Sequence, residues 1–162
     1  MRSTSVDHEG TSTRAVEDPV LRLAAAGVAD EIEFLLARAR TTGIIRANRA
    51  LEEFGMKVRH YTVLSLAASG LRPSQRELAD FLQLDPSQIV ATIDALESEG
   101  WVERTPSLAD RRVKVLSATD EGQEVLKRAR RATQAAEDDS LASLSPSERD
   151  ELRSLLRRIA FI

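Results

Sequence analysis

The apolar positions fall into helical spacing along most of the chain and change period once. From about Asp30 to Phe54, Ile32, Leu35, Leu36, Ala39, Ala47, Ala50, Leu51 and Phe54 recur at intervals of three and four, which predicts a long helix. Gly43 interrupts that run at about 1 kcal/mol relative to alanine and points to a bend or a close contact there. Tyr61, Val63, Leu64, Leu66 and Ala67 predict a second helix over 58–69, ended by Gly70. Upstream, Pro19 opens VLRLAAAGV, enough for one or two further helical turns.

Two short helices follow with clear start signals. Ser74-Gln-Arg-Glu77 reads as a capping box before Leu78, Ala79, Phe81 and Leu82. Asp85-Pro86-Ser-Gln88 reads as a second, with Pro86 at the first helical position, before Ile89, Ile93 and Leu96. Only Gln83-Leu84-Asp85 separates them, so the pair reads as a helix-turn-helix. After Gly100 the period shortens. Trp101–Thr105 and Val113–Ser117 are rich in β-branched residues and flank a turn-rich tip, predicting a hairpin or wing with Trp101 in its core. Thr119 opens another long helix through Val125, Leu126, Ala129 and Ala132, and a capping box at Ser145-Pro-Ser-Glu148 opens a terminal one through Leu152, Leu155, Leu156 and Ile159.

The expected fold is therefore mainly α with a small β-wing: a winged helix-turn-helix plus long N- and C-terminal dimerisation helices. Four segments are expected. Residues 1–18 are expected to form a flexible, Ser/Thr-rich arm, and 19–68 to carry the N-terminal helices, whose apolar faces exceed what one small winged helix can cover and point to dimerisation. Residues 69–117 form the DNA-binding lobe, and 118–162 the C-terminal dimerisation helices.

Composition narrows the chemistry. The absence of cysteine removes disulfides, thiolate metal centres and thiol redox sensing, and two histidines, His8 and His60, leave little for a metal site. No apolar run reaches the ~18–20 residues of a membrane span, and the first 18 residues lack the apolar core of a signal peptide, so a cytoplasmic location is expected. Nucleophile elbows, phosphate-binding loops and zinc-protease motifs are missing, as is any catalytic constellation. Asp138 and Asp139 read as solvated acids on a polar face. Neither an enzyme nor a cofactor is expected.

The stretch LDPSQIVATIDALESEGWVERTPSLADRRVKVLSATDEG, from Leu84 to Gly122, resembles the MarR family of winged-helix transcriptional regulators. The pattern D-x-L-E-x-x-G-x-V-x-R from Asp94 to Arg104, the wing signature Asp110-Arg111-Arg112, and the T-x-x-G helix start at Thr119 and Gly122 carry the likeness. The resemblance implies a homodimer built from intertwined chain ends, double-stranded DNA as partner, and wing-tip arginine in the minor groove with Asp110 orienting the wing. It also places an effector cleft within 19–68, near His60; Arg46 is expected to reach that cleft, and the two residues to bind a small organic, anionic or phenolic effector that releases the DNA.

On the second capped helix, Ser87, Gln88, Ala91, Thr92 and Ala95 are expected to face away from the core. Gln can pair bidentately with adenine, and Ser or Thr can meet phosphates or base edges. Expected DNA-binding residues are Ser74, Gln75, Arg76, Ser87, Gln88, Thr92, Asp110, Arg111 and Arg112. The family commonly has a basic residue where this chain has Ala91. The net charge is -3, and between Gly70 and Ser117 six basic residues face eight acidic ones. DNA binding must then come from charge placement, and a winged helix that contacts only protein is the alternative reading.

Overall fold

The computed structural model describes residues 18–161; of the expected arm only Asp18 lies within them. The chain divides into two compact units at Ala39/Arg40. In the first, Asp18 caps α1 (Pro19–Leu23) by accepting from the Val20 amide at 2.9 Å, and a single 3-10 turn follows at Gly27–Asp30. Val20, Leu21, Leu23, Val28 and Ile32 are all exposed in this unit.

Helix α2 (Ile32–Leu51) is continuous through Gly43, and a Cβ placed there would meet nothing within 4 Å. The close contact anticipated at Gly43 is absent. A 3-10 turn (Glu52–Phe54) closes on Gly55, whose φ of 65° is the left-handed conformation that glycine adopts without a Cβ penalty. Helix α3 (Val58–Ala67) then starts where the Asn48 side chain accepts from the Val58 amide at 2.9 Å, tying α3 to α2 across ten residues.

Helices α4 (Gln75–Leu82) and α5 (Pro86–Ser98) make the helix-turn-helix. The Ser74–Glu77 capping box forms as read: the Glu77 amide donates to Ser74 Oγ, and Glu77 Oε2 accepts from the Ser74 amide at 2.7 Å. The second does not. Asp85 accepts from the Ser87 amide at 2.8 Å, one position earlier, and Gln88 does not reach back. Leu78 and Ala79 of α4, together with Ile89, Ile93 and Leu96 of α5, join Val63, Leu64 and Leu51 in one buried cluster.

Strands β1 (Val102–Pro106) and β2 (Lys114–Ala118) form the antiparallel wing, in register Val102↔Ala118 and Thr105↔Val115. Each begins one residue later than its pattern suggests. The Trp101 amide donates to Leu96 O in closing α5, with Gly100 at φ 74°, and the Val113 amide donates to Asp110 O in the tip turn. Trp101 packs against the core, as its position after Gly100 implied. A bridge from Ser74 to Val115, with the Leu116 amide donating to Pro73 O at 2.9 Å, hooks the start of α4 to the wing.

Helix α6 (Asp120–Ser140) leaves the wing under tight steric control. Thr119 Oγ1 donates to Gly100 O at 2.7 Å and accepts from the Gly122 amide at 3.0 Å. A Cβ on Gly122 would lie 2.0 Å from the Trp101 carbonyl oxygen. Helix α7 (Pro146–Ala160) opens on the Ser145–Glu148 capping box and is held to α6 by Arg149, which donates to Leu141 O and Leu144 O and pairs with Asp138 at 3.1 Å. Leu155, Leu156 and Ile159 on α7 remain exposed. Among the described residues, no helix is long and apolar enough to cross a membrane.

Candidate nucleic-acid interface

Helix α5 presents a narrow polar face. Ile89, Ile93 and Leu96 fix which side is buried, and the opposite side exposes Ser87, Gln88 and Ala91. Thr92 does not belong to that exposed side. It is 4% exposed, and its hydroxyl donates to Gln88 O at 2.8 Å. At three residues from Ile89 and four from Leu96, Thr92 shares their side of the helix, and the back-bond satisfies its hydroxyl there. The outward assignment of Thr92 is therefore corrected.

At the head of α4, Ser74 gives both its hydroxyl and its amide to Glu77, while the neighbouring Pro73 carbonyl accepts from the wing. Gln75 is half-buried; Arg76 is exposed and pairs loosely with Asp80 at 3.8 Å. Glu77 is held below the usual carboxylate range by the Ser74 hydroxyl and then by its amide, and Asp85 likewise by Ser87. Both therefore serve their helix N-termini as anions.

The wing tip is a closed turn. Asp110 Oδ1 accepts from the Arg112 amide at 2.9 Å, Asp110 O accepts from Val113, and the Ser107 amide donates to Val113 O at 2.8 Å. Asp110 thus orients the tip through backbone amides. Arg111 and Arg112 are exposed on it, and among the described residues neither is in an ion pair.

Arg104 has a different task. Its guanidinium is bound by Asp94 and Glu97 of α5, clamping the recognition-type helix to β1. The Asp-x-x-Glu…Arg part of the motif is thus a structural bridge. Arg72, at φ 51°, donates to Thr105 Oγ1 at 2.7 Å and stitches the loop before α4 to β1.

Beside α5 opens a cleft of about 800 Å³. Its walls are Arg40, Ile44 and Asn48, one i, i+4, i+8 face of α2, and the start of α3 with Lys57, Val58, Arg59 and His60. Leu82 and Leu84 close the apolar end, and Ser87, Gln88, Ala91 and Thr92 bring α5 into the lining. His60 lines this cleft. Its Nδ1 accepts from the Lys57 amide at 3.0 Å, which leaves Nε2–H as donor. Burial, then the charges of Arg59 and Lys57, push its pKa below the usual histidine value, so the ring is neutral near pH 7.

Arg46 does not line the cleft; two residues beyond Ile44, it lies about 200° around the helix. Arg40 stands in its place. Sequence reading missed Arg40, Lys57 and Arg59, although the spacing Arg40–Ile44–Asn48 was visible. The cleft carries three cations and no carboxylate, which suits an anionic ligand with an apolar body. Among the described residues, no group of His, Asp or Glu could hold a metal ion.

A capped helix-turn-helix, an arginine-tipped wing and flanking helices define a winged helix-turn-helix protein. The MarR family profile matches residues 58–114. A Thauera aromatica protein assigned as a transcriptional regulator of the hcr operon is 32% identical over 82% of this chain and 80% of its own. A MarR-family regulator from Rhodococcus sp. RHA1 superposes with a TM-score of 0.79 at 36% identity, covering 85% of this chain and 97% of that one. CouR from Rhodococcus jostii RHA1, solved bound to p-coumaroyl-CoA, gives 0.76 at 36% identity over 85% and 96%. The chain belongs to the MarR family of DNA-binding transcriptional regulators.

Proposed function

We propose that the chain is a homodimeric repressor that binds a pseudo-palindromic operator and leaves it when an anionic aromatic ligand of the aryl-CoA thioester class enters the cleft. One observation carries the DNA reading: Ser87 and Gln88 on α5 and the unpaired Arg111 and Arg112 on the wing are all exposed. Two recognition helices about 34 Å apart meet successive major-groove faces. The wing arginines suit a narrow minor groove, where negative potential is concentrated. The exposed apolar positions of α7 support dimerisation, since a partner surface removes them from water.

The ligand class rests on the cationic, carboxylate-free cleft and on its apolar end at Leu82 and Leu84. CouR, a neighbour at 36% identity, binds p-coumaroyl-CoA. His60 Nε2–H would donate to a ligand oxygen, with Arg40, Lys57 and Arg59 available to phosphate or carboxylate groups.

Selection of duplexes from random or genomic DNA, followed by fluorescence polarisation at several salt concentrations, tests the DNA reading. Sequence-selective binding with a salt slope of about -0.9 per phosphate contact is expected. If no duplex binds, the module contacts only protein and the proposal is wrong. Calorimetry with p-coumaroyl-CoA on the DNA-free protein tests the ligand class.

A further inference from the structure

The tip of the wing exposes apolar and cationic side chains together. Leu108 is 94% exposed, the highest value among the large apolar side chains of the described residues, and Pro106 and Val113 beside it are exposed as well. Arg111, Arg112 and Lys114 stand on the same hairpin. A lone surface leucine is ordinary. This one is held out by a closed turn. The Ser107 amide donates to Val113 O at 2.8 Å, the Ala109 amide to Ser107 Oγ at 3.2 Å, and the Arg112 amide to Asp110 Oδ1 at 2.9 Å. These bonds flank Leu108 on both sides, so little backbone freedom is left to lose when the tip docks.

Resting on the DNA reading above, we propose that Leu108 is a minor-groove wedge. The wing enters with Arg111 and Arg112 answering the negative potential of the groove, while Leu108 lies against its sugar walls and base edges and kinks the duplex there. The chemistry of the two surfaces matches. The minor groove is about 6 Å wide, which admits an aliphatic side chain but no helix. Its walls are deoxyribose rings, rich in C–H, and its rims are phosphates, so an apolar apex among cations complements it. Leucine is among the side chains that part a base step and bend DNA by about 20–90° toward the major groove. Pyrimidine–purine steps open most easily, so Leu108 also sets a sequence preference where no hydrogen bond reads the bases.

The experiment uses the full chain and the tightest duplex recovered by selection, labelled at both ends. Energy transfer between the labels gives the bend, and fluorescence polarisation over a salt series gives the affinity. The parent should bend the duplex by at least about 20°. Burying one leucine favours an equilibrium by about tenfold or more, and parting a base step offsets some of it. Leu108→Ser should therefore relax the bend and weaken binding by about three- to tenfold at every salt concentration.

Its salt slope should stay that of the parent, because no charge is lost, whereas Arg111→Ala with Arg112→Ala should flatten the slope. Leu108→Met, which keeps an apolar side chain of similar length, should recover most of the bend and affinity that serine loses. Melting temperatures should agree, since Leu108 lies outside the buried cluster. Duplexes selected by the parent should be enriched in pyrimidine–purine steps at the kink, and those selected by Leu108→Ser should not. A straight duplex in the parent complex, or a Leu108→Ser chain that binds and bends as the parent does, overturns the wedge while DNA binding stands. Failure of every duplex to bind the parent overturns the DNA reading, and the wedge with it.

Discussion

Gly122 offers a sharp test of the packing, because two glycines of this chain sit in helices under opposite constraints. Glycine in a helix interior costs about 0.5–1 kcal/mol relative to alanine, so Gly→Ala should stabilise wherever a methyl fits. At Gly43 a Cβ meets nothing within 4 Å, and Gly43→Ala should gain about that amount. At Gly122 the Cβ would stand 2.0 Å from the Trp101 carbonyl oxygen and 2.8 Å from its carbon. Even a 3.0 Å contact demands a displacement of about 1 Å.

That displacement falls where Trp101 O accepts from the Thr119 amide at 3.0 Å and Thr119 caps Gly122. Overpacking costs about 1–3 kcal/mol, and a lost hydrogen bond about 1 more. The propensity gain offsets up to about 1, leaving a net loss of roughly 1–3 kcal/mol. Urea melts at one fixed protomer concentration should show Gly43→Ala shifted up and Gly122→Ala shifted down, with m unchanged. In heating, each kcal/mol corresponds to about 2–4 °C. A Gly122→Ala chain as stable as the parent would refute the steric account of the Thr-x-x-Gly start.

Further outcomes follow from the same geometry. Arg104→Ala leaves Asp94 and Glu97 facing each other on half-exposed ground and should cost about 1–2 kcal/mol in urea melts. The DNA affinity of the folded protein should hardly change. Arg111→Ala with Arg112→Ala should weaken operator binding at least tenfold, about 1.4 kcal/mol, with the melting temperature unmoved; parental binding would exclude the wing. Ala91→Arg should tighten DNA binding and steepen its salt slope by about 0.9. An unchanged slope would mean that Ala91 faces away from phosphate. Because the folded pKa of His60 lies below 6.5, the unfolded chain takes up the proton first as pH falls. Stability is therefore full above about pH 6.5 and lost progressively on acidification below it, until the folded ring also protonates. His60→Gln, which keeps an acceptor for the Lys57 amide, should show less acid sensitivity in chemical melts between pH 7 and 5; equal slopes would contradict the assignment.

Short-range signals were the legible ones. The Ser74 and Ser145 capping boxes act within four residues, and both formed with the partners their spacing named. The wing could be read from β-branching, but its register could not. Trp101 and Val113 spend their amides closing the preceding helix and turn, a choice made by Gly100 and Asp110 backbone geometry. Thr92 was misplaced because its polarity outweighed its period. The spacing from Ile89 and Leu96 already put it inside, and a hydroxyl that back-bonds to Gln88 can be buried there. The cleft was partly out of reach. His60 could be singled out, but Arg40 joins it through the packing of Leu51 with Val63 and Leu64 and the bond from Val58 to Asn48, which together set α2 against α3.

The charge balance of the lobe takes a different meaning once each acid has its place. Glu77 and Asp85 sit at helix N-termini, where amide dipoles offset part of their charge. Asp94 and Glu97 are bound to Arg104, and Asp80 faces Arg76. Glu103 accepts from the Ser117 hydroxyl at 3.2 Å, and Asp110 is turned into the tip backbone. Seven of the eight acids thus serve internal geometry, while Arg111, Arg112 and Lys114 are left exposed on one hairpin. A net-acidic lobe can in this way offer a cationic edge to a phosphate backbone without a long-range attractive field. Association should then be slow to gain from low salt at long range, yet the bound state should depend on a few close contacts. Those contacts flank α5, whose exposed side carries Ser87 and Gln88, so DNA binding should rest on a small surface.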